Sequence, residues 1–170
     1  RLVGSEMCIR DSDITAQNLA ALSIRVNPRW LKVCDIKAPR TGLEVKFSYV
    51  FLAAMVLHHI DTAAYQSYDD SICGNAGLIA TASKITVIGD EAISDGAVNV
   101  SADTQTGVRH TTDFDLMDPI DLSVLGPRLV AKASVLIGPA RAEKIWESMD
   151  DLDSMPAAQM ARCLQPLQNA

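Results

Sequence analysis

Two cations stand where a charge calls for a partner. In Pro39-Arg40-Thr41-Gly42-Leu43-Glu44-Val45-Lys46-Phe47-Ser48, Arg40 falls in a loop of turn residues and Lys46 in the first turns of a largely apolar run. An unanswered charge in such a run is costly. Glu44 is the nearest possible partner, snorkelling to water is a second way out, and an anionic ligand is a third. A guanidinium and an ammonium brought together can hold an anion through charge-assisted hydrogen bonds.

The remaining chemistry-bearing residues suggest less. His58 and His59 are adjacent, ahead of Asp61, and neighbours on a helix diverge by about 100°, so the two rings cannot share one metal ion as an i, i+4 pair would. They read as polar residues closing a buried helix near its negative pole. His110 sits in an expected strand among threonines. Gly74-Asn75-Ala76-Gly77 precedes an expected helix but has no strand before it and no full glycine fingerprint, which makes a poor phosphate cradle. The acidic run Glu147–Asp153 reads as a solvated helix face. No metal site is expected.

These residues need elements to position them. Leu22–Val26 alternates apolar and polar and is expected as a strand, with Trp30–Val33 resuming it after Asn27-Pro28. Leu43–His59 is apolar on nearly every side and is expected as one helix buried on most faces. Ala76–Ser83 reads as a helix and Lys84–Ile88 as a strand. Ala97–Ser101 and Val108–Phe114 should form an antiparallel hairpin around Thr106-Gly107. Leu122–Ile137 is a helix stopped by Gly138-Pro139, and Ala140–Leu152 is another, with a shorter helix after Pro156. Strands and helices mix without strict βαβ alternation, so the expected class is α+β, a two-layer arrangement with a mainly antiparallel sheet.

The first residues fit none of this. Leu2–Ser12, LVGSEMCIRDS, is the translation in one frame of a common transposase sequencing adapter. Residues 1–12 are therefore expected to be adapter-derived, with the natural chain continuing upstream of Asp13. Setting them aside removes two cations (Arg1, Arg10) and two anions (Glu6, Asp11), and the balance of 13 minus 19 is still −6. An acidic chain argues against a nucleic-acid partner. Cys34, Cys73 and Cys163 remain, an odd number without C-x-x-C spacing, which suits a reducing, cytoplasmic setting. No run approaches the roughly 18 apolar residues of a membrane span.

PRTGLEVKFSYVFLAAMVL, residues 39–57, resembles the P-T-x-L-E-A-K-F-S…Y…A stretch in the C-terminal part of the MmgE/PrpD family, which includes 2-methylcitrate dehydratase, cis-aconitate decarboxylase and iminodisuccinate epimerase. The likeness continues in order through Ile24–Trp30, Ser67–Asp70, Lys84–Val87, the hairpin and the closing helices. It implies a cofactor-independent lyase or isomerase acting on a small di- or tricarboxylate, built as a homodimer from a large helical domain and a smaller α+β lid. Residues 13–136 would be most of the lid, and 137–170 the helices returning to a helical domain absent from this chain. Arg40 and Lys46 would bind substrate, while most acid–base residues would lie upstream. Two departures stand out. Phe51 occupies a position where the family commonly has a tyrosine, and Leu116–Asp121 lacks the glycine of the corresponding family loop. The alternatives are a non-catalytic member of the family used for dimerisation or binding, and an unrelated α+β ligand-binding module.

Overall fold

The computed structural model describes residues 13–165; the adapter-like residues 1–12 lie outside them. Compactness divides the chain between Pro119 and Ile120, ahead of the expected boundary at 136/137, so the helix at 122–137 is counted with the C-terminal helices.

The first unit is an α+β layer pair. Its sheet has the order β2-β1-β3-β4, built from β1 (Leu19–Val26), β2 (Ile85–Gly89), β3 (Ala97–Thr104) and β4 (Arg109–Asp115). β1 pairs parallel with β2 and antiparallel with β3, and β3 and β4 form the expected hairpin. Alternation fixes the register, because slipping by one residue would turn every inward side chain outward. Leu22, Ile24 and Val26 of β1, Ile85 of β2, and Val98, Val100 and Ala102 of β3 face the core. The opposite face is polar and tied across strands: Asn99 donates to Asp113, Ser101 bonds Thr111, and Arg109 clasps Asp103 through two hydrogen bonds.

Two expected elements differ. The stretch after Asn27-Pro28 is not a resumed strand but a 3-10 turn, Pro28–Trp30, running into the short helix α1 (Leu31–Cys34). Asn27 caps it and Pro28 opens it, a pairing that favours helix over strand. The expected helix over 43–59 is two helices, α2 (Gly42–Val45) and α3 (Tyr49–Leu57). Thr41 caps α2 by accepting from the Glu44 N–H, and Ser48 caps α3 by accepting from the Phe51 N–H. A second cap in mid-run restarts the helix, because a capping serine sits in extended backbone; Ser48 does, at φ −119° and ψ 103°, and it forms an isolated bridge with Asp35.

All nine residues of α3 are buried, and they form the centre of the core with the inner faces of β1 and β3. Its end explains the two histidines. His59 adopts a left-handed φ of 58°, with the His59 N–H bonded to the Val56 carbonyl and the Ile60 N–H to the Met55 carbonyl. That is the double closure of a Schellman turn. The His58 ring is engaged with the Thr81 hydroxyl of α4 (Ala76–Ala82) at 2.8 Å.

The second unit holds α5 (Leu122–Ile137), α6 (Pro139–Glu147) and α7 (Ala157–Leu164). α5 and α6 pack together, with the Trp146 ring close over Gly126: a Cβ there would stand 2.8 Å from the ring. No described helix is long and apolar enough to cross a membrane.

Candidate functional site

Arg40 and Lys46 bracket α2 in the loop that leads into the buried helix. Lys46 is the C-cap residue of α2, not a residue in the first turns of one long helix, and it is exposed. The helix pole beside it is therefore the negative, carbonyl end of α2, which suits a cation. Glu44 does not serve as its counter-ion. One Glu44 carboxylate oxygen accepts the Arg40 backbone N–H at 2.6 Å, a variation on the capping box in which the acid reaches back one residue past the cap. Among the described residues neither Arg40 nor Lys46 forms an ion pair, whereas Arg25, Arg29, Lys37 and Arg109 are each matched to an aspartate.

What holds Lys46 is aromatic. Its ammonium lies 4.6 Å from the centre of the Tyr68 ring and 5.7 Å from that of Tyr65. Each contact is worth about 0.5–1 kcal/mol at an exposed position. Both tyrosines belong to the 3-10 turn Tyr65–Tyr68, and the Tyr68 hydroxyl donates to the Thr62 carbonyl. This turn and α2 are pressed together. A Cβ on Gly42 would lie 1.7 Å from the Tyr68 carbonyl oxygen, and the Gly42 N–H donates to the Asp70 carboxylate at 2.7 Å. The sequence reading missed Tyr65 and Tyr68; the Y-x-x-Y spacing was visible, but what it would meet was not.

The neighbouring groups do not look like acid–base machinery. Burial first, then the carboxylates of Asp70 and Glu44, push the Cys73 thiol up, away from the thiolate a nucleophile needs. Phe51 is 3% exposed and Tyr49 4% exposed, both in the core. Among the described residues no group of histidines, cysteines and carboxylates has the geometry to hold a metal ion.

Tyr49 nonetheless sets a testable pH dependence. Its phenol is pushed above the ordinary value, first by burial and then by Cys34 and Asp35. A raised pKa means that the fold favours the protonated phenol, so this contribution is complete below the unfolded pKa of about 10 and is lost as pH rises beyond it. Wild-type stability should fall by up to about 1.4 kcal/mol per pH unit above pH 10 from this group alone. Tyr49→Phe should flatten that limb when urea unfolding is compared at pH 9 and pH 11. Parallel losses in the two proteins would assign the limb to another group.

Comparison of the chain with protein-family models and with curated proteins finds no match.

Proposed function

We propose that the chain is the lid portion of an MmgE/PrpD-like, cofactor-independent lyase or isomerase acting on a di- or tricarboxylate, with Arg40 and Lys46 holding substrate carboxylates. The observation that carries this reading is the pair itself: two exposed cations flanking α2, without an ion pair among the described residues, in a chain of net charge −6. Arg25, Arg29, Lys37 and Arg109 are answered by aspartates; on this reading Arg40 and Lys46 face an external anion instead. The guanidinium offers a planar fork and the ammonium, steadied against two rings, a point charge. Such an enzyme removes a proton beside a carboxylate and then loses water, loses carbon dioxide or reprotonates, which requires a placed base and acid as well as the cations. On this reading the base and acid come from the helical domain, and the chain by itself binds without turning over.

Phe51 favours a second reading, a family member that binds or dimerises without catalysis. The position where the family commonly has a tyrosine is here a ring sealed in the core.

The test is a titration of cis-aconitate into the 170-residue chain, followed by backbone amide shifts and by product assay. The expected result is saturable shifts confined to residues 39–46 and 65–70, weaker with acetate, and no turnover. Shifts centred elsewhere, or none, would overturn the assignment of Arg40 and Lys46; turnover would overturn the division of labour between lid and helical domain.

A further inference from the structure

The C-terminal helical unit contains a cavity of about 470 Å³ between the start of α6 and the end of α7. Its volume lies within the range of about 300–1,000 Å³ usual for small-molecule sites. Ile137, Pro139 and Ile145 give it an apolar lining, and Arg141, Lys144 and Arg162 are the charged residues along it. Among the described residues no carboxylate side chain lines it. Three like charges along one cavity are not a consequence of composition, since the chain carries six more anions than cations. Arg141 donates to the Gln165 carbonyl, which fixes its guanidinium at the α7 side. Among the described residues neither Lys144 nor Arg162 forms an ion pair.

We infer that this cavity binds an amphipathic anion, an unbranched medium-chain carboxylate, with the alkyl chain against Ile137, Pro139 and Ile145 and the carboxylate among Arg141, Lys144 and Arg162. The apolar lining rewards burial of methylene groups. The cations select the sign of the head group. Neither part suffices alone: a small carboxylate leaves the lining wet, and a neutral chain leaves Lys144 and Arg162 unanswered. The site lies wholly within the second unit and does not depend on the role given to Arg40 and Lys46.

The experiment uses the full chain and decanoate below its micelle concentration, with decanol, decyltrimethylammonium and acetate as comparisons. Saturable amide shifts are expected at residues 137–145 and 162–165 with decanoate, with affinity for decanol and acetate lower by about tenfold or more. Lys144→Gln with Arg162→Gln should weaken decanoate by about ten- to a hundredfold, the loss of one or two charge-assisted hydrogen bonds. Equal binding of decanol, binding of the quaternary ammonium, or shifts centred outside these residues would overturn the proposal. The ligand comparisons on the unaltered chain keep the question decidable if the double variant fails to fold.

Discussion

Gly42→Ala is expected to destabilise the sheet-bearing unit by about 3 kcal/mol, the upper end of what overpacking costs, and to abolish the carboxylate binding proposed for Arg40 and Lys46. The reason is room. Gly42 has no left-handed φ, but its missing Cβ is the space into which the Tyr68 carbonyl fits: a Cβ would stand 1.7 Å from that oxygen and 2.5 Å from its carbon. Those are backbone atoms, so no rotamer change relieves the overlap. The loop carrying α2 and the 3-10 turn carrying Tyr65 and Tyr68 must separate. Separation breaks the Gly42 N–H bond to Asp70 and withdraws both rings from Lys46. Urea unfolding reads the first effect and cis-aconitate titration the second. An unchanged urea midpoint would mean that the two loops do not meet in solution.

Reversing both charges, Arg40→Glu with Lys46→Glu, should lower affinity for cis-aconitate by about a hundredfold or more. Each lost charge-assisted hydrogen bond is worth about 1.5–3 kcal/mol, and repulsion adds to the loss. Stability should change far less, since both side chains are exposed and only the cation–π contacts of Lys46 are given up. Lys46→Arg is the companion variant, because it keeps the charge and the stacking and should retain most of the affinity. If the reversal lowers the melting temperature while binding is intact, Lys46 is a structural residue pinned by Tyr65 and Tyr68, and the site must be sought elsewhere.

The strands and the long amphipathic helix could be read from the sequence because their signals are local. Leu22, Ile24 and Val26 alternate, Thr106-Gly107 marks the hairpin, and Gly138-Pro139 ends α5 where periodicity says it should. Helix α3 was legible as buried, since an apolar wheel has no solvent side. Its true start was hidden because Ser48, read as one polar residue in an apolar run, is a cap, and so is Thr41. Arg40 and Lys46 were legible as cations in need of a partner, with Glu44 the nearest candidate. The rings around Lys46 were not, because they depend on the Gly42–Tyr68 approach between residues far apart in sequence, and no local pattern encodes it.

The parallel pairing of β1 with β2 bears on how the chain folds. β3 and β4 can close on each other through a short turn, an event of low loop-closure cost. β2 can reach β1 only after residues 27–84, with α3 and its caps, have been laid across the sheet. Contacts of such long sequence range slow folding, because chain entropy is spent before they form. The hairpin should therefore be ordered in the folding transition state, with high Φ-values at Val100 and Thr112, while Ile85 and Val87 score low. The reverse ranking would place the β1–β2 crossover in the nucleus. Until β2 docks, one side of β1 presents an open row of backbone donors and acceptors, so the slowest step in assembling this sheet is also the interval in which a second chain can pair with it.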